Sequence, residues 1–187
     1  MVSLDHFASV VPRLRTWRLE LGPFCGVHLA RAALVYGDEE TMRFLPGGVR
    51  RGEEVSDMFS LFHACWKEHG MGVFALTDRG TGDFVGHCGL NFLEGGQEVE
   101  LIYLVDKGRW GEGLATEAGG AALAYGFEIL ELETVCAVIM PGNTGSMKVA
   151  EKLGMRVVGR RLCYGRRLFY YRMERQDFAR LTPLTLA

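Results

Sequence analysis

The most restrictive feature of the sequence is a loop with two glycines between a strand and a helix. Residues 105–118 read VDKGRWGEGLATEA, in which an apolar strand ends, Gly111 and Gly113 follow, and a helix begins at Leu114. Glycine lets the backbone approach a ligand closely, and the first N–H groups of a helix have no intrahelical partner. Because the helix dipole is positive at that end, the segment predicts a binding site for a pyrophosphate.

Two well-known phosphate-binding loops do not match this segment. A dinucleotide-binding loop requires a third small residue in GxGxxG, and Thr116 occupies that position here. A Walker loop requires Gly-Lys-Ser/Thr, which residues 105–118 do not contain. The loop alone also fits an ordinary strand-to-helix connection. Its role can therefore be inferred only together with the rest of the sequence.

Periodicity along the rest of the chain predicts a mixed α/β fold. The predicted strands cover residues 14–21, 72–76, 84–92, 98–105 and 134–140, with two more around Tyr164-Gly165, and the predicted helices cover 27–36, 53–69, 114–130 and 143–154. This order is typical of an α/β or α+β protein with a mixed sheet. A length of 187 residues predicts a single domain over residues 1–187, with its core between about 14 and 178.

Charge and cysteine content exclude several classes of protein. The 21 lysines and arginines nearly balance the 23 aspartates and glutamates, so no basic field favours nucleic acid or a membrane. The five cysteines lie far apart and form no CxxC pair, which argues against a disulfide framework or a zinc site. The chain starts without the pattern of a secretory signal and has no apolar run of about 18 residues. We therefore expect a cytoplasmic protein that binds no metal, nucleic acid or membrane.

Five segments together resemble the GNAT superfamily of acyl-CoA-dependent N-acetyltransferases, in the branch related to ribosomal-protein N-terminal (alanine/serine) acetyltransferases. The segments are WRLEL at 17–21, EETMRFLP at 39–46, FVGHCGL at 84–90, ELIYLVDKGRWGEGLATEA at 100–118 and NTGSMKVAEKLGM at 143–155. The resemblance covers roughly residues 16–178. It implies a mostly antiparallel central sheet flanked by helices, with two splayed strands that form an acyl-CoA cleft, and acetyl-CoA as cosubstrate.

The resemblance also assigns a cofactor site. The family signature Q/R-x-x-G-x-G/A maps onto residues 108–113, where Gly108 replaces the usual Gln or Arg, while residues 109–113 nearly reproduce the Tyr-Trp-Gly-x-Gly common in this branch. Backbone groups of Leu104 and Val105 on the first splayed strand would pair with the pantetheine amides, and one N–H would polarise the thioester carbonyl. The residues implied in cofactor binding are Leu104, Val105, Arg109, Trp110, Gly111, Gly113, Leu114, Ala115, Thr116 and Asn143.

A carboxylate beside the acyl site is the candidate general base. An amine must be neutral to attack a thioester, and a lysine side chain costs about 3.5 kcal/mol more to deprotonate than an α-amino group. Glu98 and Glu100 lie on the strand next to the site, and Glu100 matches the E-x-x-Y-x-L pattern of the branch. We assign the base to Glu100, acting directly or through water; a structural glutamate at the end of a strand is the alternative.

The helix that follows residue 143 carries the candidate acid. Asn143 is a suitable helix N-cap, and by resemblance it also binds the cofactor. Ser146 lies, by the same resemblance, near the sulfur and would assist release of the thiolate, because Ala150 occupies the position where many relatives have a tyrosine. His87 is either a substrate contact or a satisfied histidine, and strand alternation places Cys88 in the core.

The sequence therefore predicts an acetyl-CoA-dependent N-acetyltransferase that acts on a primary amine in a ternary complex. A non-catalytic acyl-CoA-binding or sensor protein of the same fold is the alternative. The acceptor stays open between a protein N-terminal α-amine and a polyamine, antibiotic or amino acid. Glu53, Glu54 and Asp57 would suit a polyamine, and they fit a solvated helix start equally well. Arginines at 160, 161, 166, 167 and 172 form a basic cluster that suits either a solvated strand face or an acidic partner. The last strand pairs subunits in some members of the family, so the resemblance implies a homodimer as one possible assembly.

Overall fold

The computed structural model describes residues 11–182 and 185–186, in which nine strands form one sheet. The strands are β1 (Leu14–Arg15), β2 (Leu19–Gly22), β3 (Val73–Asp78), β4 (Phe84–Phe92), β5 (Val99–Val105), β6 (Thr134–Ile139), β7 (Arg156–Cys163), β8 (Arg166–Glu174) and β9 (Thr185–Leu186). They lie in the order β7-β8-β6-β5-β4-β3-β2-β1-β9. Each neighbouring pair is antiparallel except β5 and β6, which confirms the predicted mixed, mostly antiparallel sheet.

Five α-helices lie within the described residues, and the longest of them has the bounds predicted from the sequence. They are α1 (Leu29–Gly37), α2 (Glu39–Met42), α3 (Glu53–His69), α4 (Leu114–Ala124) and α5 (Thr144–Lys152). The short helix α2 was not predicted; Asp38 caps it by accepting a hydrogen bond from the N–H of Thr41. The predicted helix over 114–130 is α-helical only to Ala124, and a π-helical turn continues it over Tyr125–Ile129. Within the described part of the chain, no helix is both long and apolar enough to cross a bilayer.

The single strand predicted over residues 14–21 is wrong, because the chain reverses direction there. The N–H of Thr16 donates to the carbonyl of Leu19 at 3.0 Å, and the hydroxyl of Thr16 accepts from the N–H of Leu19 at 3.1 Å. Leu14 consequently pairs with Leu21 across a tight hairpin between β1 and β2. The turn residue Trp17 is 73% exposed. The period-two pattern therefore spans two short strands whose leucines are all buried in the core.

The two faces of the sheet bury different clusters. The main core lies between the sheet and the helices α4 and α5, where Leu101 of β5 packs with Ala118 and Leu153. On the opposite face, Leu104 of β5 belongs to a second cluster built with α1 and α3. A third cluster, on β6 and the β7–β8 hairpin, includes Cys136. Since successive residues of a strand point to opposite faces, β5 contributes to both sides of the sheet.

The parallel strands β5 and β6 separate soon after they begin. Their pairing is confined to Glu100 opposite Cys136. In contrast, β4 pairs with β5 over the whole of residues 99–105, and β6 pairs with β8 over 134–139. The carboxyl ends of β5 and β6 therefore diverge and leave a cleft in the middle of the sheet, as the resemblance implied.

Candidate active site

A cavity of about 720 Å³ occupies the cleft between β5 and β6. The residues that line it come from six places: the diverging strands, β4, the glycine loop with the start of α4, the start of α5, α2 with the segment after it, and the β7–β8 hairpin. The lining includes every site residue predicted from the sequence, namely Glu100, Leu104, Val105, Arg109, Trp110, Gly111, Gly113, Leu114, Ala115, Thr116, Asn143 and Ser146. The fold thus brings together side chains that lie as far apart in sequence as residues 100 and 146.

The glycine loop presents the start of α4 to the cavity. Gly111 and Gly113 have φ values of 84° and 82°, a left-handed conformation that favours glycine because it has no Cβ. Gly113 is the N-cap of α4, and its carbonyl accepts from the N–H of Glu117 at 3.0 Å. The N–H groups of residues 114–116 precede that first intrahelical bond. These donors, together with the helix dipole, suit an anionic group in the cavity.

Arg109 holds the loop in place rather than offering a free positive charge. Its guanidinium contacts Glu112 and also Asp78 at the end of β3, each at 2.8 Å. The hydrogen bond from Arg109 lowers the pKa of Asp78, which keeps this carboxylate ionised. The charge of Arg109 is thus already balanced within the loop, and backbone donors remain the main anion-binding groups at this end of the cavity.

Trp110 folds back onto the strand that precedes the loop. Its indole Nε1 donates to the carbonyl oxygen of Val105 at 2.7 Å, while the residue stays 45% exposed. A buried or partly buried indole N–H needs such a partner. The ring therefore fixes the geometry at the end of β5, where the chain turns into the glycine loop.

A second contact that the sequence did not reveal fastens the start of α4 to the β1–β2 hairpin. The buried carboxylate of Glu117 accepts from the hydroxyl of Thr16 at 2.7 Å and from the backbone N–H of Arg18 at 2.8 Å. The guanidinium of Arg18 also donates to Glu117 and to the carbonyl of Glu112. Burial acts to raise the pKa of Glu117, but these hydrogen bonds outweigh it and lower the pKa. The WRLEL segment thus positions the glycine loop.

Glu100 is a buried carboxyl group in the floor of the cleft. It is 4% exposed and lies opposite Asn91 of β4. Burial raises its pKa to about 7, although hydrogen bonds from the Tyr164 hydroxyl and from the N–H of Val138 act in the opposite direction. The negative charge of Glu94 raises the pKa further. A carboxyl group with this pKa exchanges a proton near neutral pH, as a general base requires.

Glu98, the other candidate base, lies outside the lining of the cavity. Hydrogen bonds from Tyr170 and Arg161 lower its pKa, with burial opposing them. The carboxylate of Glu98 is therefore engaged with the β7–β8 hairpin and stays ionised. Of the two glutamates singled out from the sequence, only Glu100 reaches the cavity.

Asn143 and Ser146 lie at the beginning of α5. The side chain of Asn143 accepts from the N–H of Ser146 at 3.1 Å, which confirms the predicted helix cap. The hydroxyl of Tyr103 on β5 donates to the carbonyl of Ser146 at 2.8 Å and so fixes α5 against the cleft. Ser146 is half-buried, and one turn later Ala150 is buried and has no hydroxyl group. Ser146 thus lies on the wall of the cavity, where Ala150 offers no competing hydroxyl group.

Backbone groups of alternate residues of β5 also face the cleft, and only the structure shows which residues these are. The N–H of Asp106 donates to the carbonyl of Val85 at 2.9 Å, and the N–H of Leu93 donates to the carbonyl of Glu98 at 2.8 Å. Even-numbered residues of β5 therefore bond to β4. The N–H groups of Tyr103 and Val105 accordingly point toward β6. The expectation that the backbone of Leu104 pairs with the cofactor is therefore wrong, because that backbone bonds to β4.

The opposite wall of the cavity comes from the segment after α2 and from the β7–β8 hairpin. It includes Phe44, Leu45 and Pro46 on one side, and Tyr164 and Leu168 on the other. The acidic residues at 53, 54 and 57, which would have suited a polyamine, do not contribute to the lining. Arg43 and Arg166 also contribute to these walls, which therefore combine apolar side chains with two positive charges.

His87 lines the cavity as a buried, hydrogen-bonded residue. Its Nδ1 lies 2.7 Å from the hydroxyl of Tyr36. Burial lowers the pKa of His87 to about 3, so the ring is neutral at physiological pH. This supports the interpretation of His87 as a satisfied histidine and argues against a role as second base. Cys88 points to the other face and lies in the main core, as predicted.

A family sequence model, a sequence relative and solved structures all resemble this chain over most of its length. The sequence model of the acetyltransferase (GNAT) domain matches residues 18–156. The chain is 32% identical over 124 residues to the uncharacterized protein YkkB of Bacillus subtilis (strain 168), which covers 65% of this chain and 72% of YkkB. An acetyltransferase structure from Agrobacterium tumefaciens str. C58 matches with a TM-score of 0.75 at 28% identity, over 87% of this chain and 94% of that one. Mycobacterium smegmatis RimJ, solved with CoA-disulfide, has the same fold, with a TM-score of 0.73 at 21% identity over 89% of this chain and 88% of RimJ.

Proposed function

Because the chain belongs to the GNAT acetyltransferase family and is thus an acyltransferase, we propose that it transfers an acetyl group from acetyl-CoA to a primary amine within a ternary complex. The observation that carries the proposal is that one cavity joins an anion-binding loop to a buried carboxyl group with a pKa near 7. The first suits the phosphates of the cosubstrate and the second suits the deprotonation of an amine.

The residues around the cleft fit acetyl-CoA. Gly111, Gly113 and the start of α4 would hold the pyrophosphate through backbone N–H groups, and Asn143 would contact the cosubstrate from α5. Acetyl-CoA, when bound, supplies a thioester to which a neutral amine adds and from which the thiol leaves. The N–H groups of Tyr103 and Val105 face the cleft and are the donors that would stabilise negative charge on the carbonyl oxygen.

Glu100 would take the proton from the attacking amine. With a pKa near 7, a large fraction of the carboxyl group is ionised at neutral pH, and its conjugate acid still releases the proton readily. The transfer runs directly or through one water molecule. The burial of Glu100 would also limit the access of water, which competes with the amine for the thioester carbonyl.

Ser146 would assist the departure of the thiolate. Its hydroxyl would donate a hydrogen bond to the sulfur as the C–S bond breaks. The thiolate would then take up a proton from solvent, while Glu100 would release to solvent the proton that it took from the amine. A thiol with a pKa of about 8.5 needs little acid assistance, so a serine suffices where many relatives have a tyrosine. The position of Ser146 on the cavity wall supports this role.

The acceptor is a protein N-terminal α-amine or a small-molecule amine. An α-amino group is already partly neutral at pH 7 and suits a base with a pKa near 7 better than a lysine side chain does. Glu100 is the single carboxyl group in the cavity lining formed by the described residues. A polyamine has a second ammonium group that would then lack a carboxylate partner, so the lining favours a monoamine.

Two measurements test this proposal in sequence. Calorimetric titration with acetyl-CoA, with NAD and ATP as controls, should show micromolar affinity, about −8 kcal/mol, for acetyl-CoA alone. A screen of N-terminal peptides, amino acids and polyamines for acetylated product then follows. Binding without product from any amine would favour a non-catalytic acyl-CoA sensor, and an absence of binding by the folded protein would refute the cosubstrate assignment.

A further inference from the structure

Tyr164 contacts the proposed base from the turn of the β7–β8 hairpin. Its hydroxyl donates to Oε2 of Glu100 at 2.8 Å, although 64 residues separate the two along the chain. Nothing in the sequence pattern pointed to this residue, because it precedes Gly165 in an ordinary hairpin turn. The contact exists because the hairpin bends over the face of the sheet on which Glu100 lies, and Leu168 of that hairpin packs with Leu93 and Cys136.

A second contact holds this turn over the cleft. The backbone N–H of Tyr164 donates to Oε1 of Glu94 at 2.6 Å, and the N–H of Glu94 approaches the Tyr164 hydroxyl at 3.4 Å. Tyr164 and Glu94 both have positive φ values, 52° and 51° respectively, which side chains with a Cβ rarely adopt. The mutual hydrogen bonds stabilise a conformation that each residue would otherwise avoid.

We propose that Tyr164 is a positioning residue that orients the Glu100 carboxylate toward the acceptor amine, with Glu94 holding the hairpin turn in place. This inference rests on the proposed function, because it assumes that Glu100 is the base. A carboxylate held at Oε2 by Tyr164 and restrained by the N–H of Val138 has a fixed orientation. The fixed orientation directs its remaining lone pairs into the cavity, where the amine arrives.

The charges around Glu100 determine how its pKa should respond. Glu94, on the turn after β4, adds a negative charge that raises the pKa of Glu100. Cys136 on β6 and Cys163 at the end of β7 have raised pKa values because of burial, so both thiols are neutral near pH 7. His87 of β4 is neutral as well. The hydrogen bond from Tyr164 therefore lowers the pKa of Glu100, and the charge of Glu94 raises it.

The test compares three conservative variants. Tyr164→Phe removes a hydrogen bond to the charged carboxylate, so the acidic limb of the kcat/KM profile should move up by about one pH unit, with kcat reduced. Glu94→Gln removes a like charge while an amide oxygen still accepts from Tyr164, so the limb should move down. Tyr170→Phe, which removes a similar hydrogen bond to Glu98 outside the cavity, should leave the limb in place.

A direct titration makes the inference independent of turnover. Carboxyl ¹³C NMR of glutamate-labelled protein reports the Glu100 pKa, with the signal assigned by its loss in Glu100→Gln. The same opposite shifts are expected in Tyr164→Phe and Glu94→Gln, with unchanged calorimetric affinity for acetyl-CoA. Equal titration of Glu100 in wild type and Tyr164→Phe would overturn the inference. If the Glu100 pKa shifts as expected in both variants but no amine gives acetylated product, the proposed function is overturned instead.

Discussion

At position 100, burial and hydrogen bonding shift the pKa in opposite directions, and the balance gives a carboxyl group suited to proton transfer. Glu100 is 4% exposed, whereas Glu98, two residues earlier, is engaged by Arg161 and Tyr170 outside the cavity. The two glutamates therefore form a natural pair for mutagenesis. One lies in the cavity lining, and the other is held outside it by an ion pair with Arg161.

Replacement of Glu100 by Gln should lower kcat by about 100-fold to 10,000-fold, the usual contribution of a general base. The affinity for acetyl-CoA should stay within a small factor of the wild type, because the carboxyl group lies away from the phosphate-binding loop. Steady-state assays at several pH values and calorimetry measure both quantities. Glu98→Gln is the control and should keep normal turnover; equal turnover in Glu100→Gln and wild type across pH would remove the assigned role.

At the scale of the element, the glycine loop depends on backbone conformation more than on side chains. Gly113 has a φ of 82° and caps α4, whereas Gly108 has no such conformation and a Cβ there would meet only the Asp106 side chain, at 3.7 Å or more. Gly113→Ala should weaken acetyl-CoA binding by at least tenfold and destabilise the fold by about 1 kcal/mol, since the left-handed conformation strains a residue with a Cβ.

The matched control for this loop is Gly108→Ala. Calorimetry with acetyl-CoA and urea unfolding should give wild-type values for Gly108→Ala, because its backbone φ is not left-handed and the site is open. Equal affinities in the two variants would show that the conformation at Gly113 is not needed for binding. Such a result would leave the N–H groups of α4 without the role assigned to them.

Elements that have a local sequence pattern could be predicted from the sequence, whereas contacts between distant elements could not. Apolar periodicity gave α3 with its bounds at Glu53 and His69, and the two glycines located the start of α4. The hairpin hidden within residues 14–21 escaped prediction because its turn is made by Thr16 side-chain bonds rather than by glycine or proline. The contact of Tyr164 with Glu100 depends on how a hairpin bends, which no local pattern records.

At the scale of the whole molecule, the site couples activity to stability. Glu100 and His87 are both buried titratable groups, and their pKa values move in opposite directions, to about 7 and about 3. His87 is neutral in the folded state, so its protonation on unfolding costs the protein stability as the pH falls below about 6.5. Glu100 has the opposite effect, because the folded state keeps its proton at pH values where the unfolded chain has lost it.

The pKa of Glu100 predicts a stability gain in the inactive variant. Between pH 4.5, the usual value for a glutamate, and about 7, the folded wild type binds more protons than the unfolded chain, so its stability falls as the pH rises. Glu100→Gln has no such dependence and still offers Tyr164 an acceptor. Urea unfolding without ligand should therefore show equal stabilities near pH 4 and a gap of up to about 3 kcal/mol in favour of the variant at pH 8. The contribution of His87 is the same in both proteins and cancels. If the difference in unfolding free energy between the two proteins stayed constant with pH, Glu100 would not be held protonated by burial. Its suitability as a base near neutral pH would then have no physical cause.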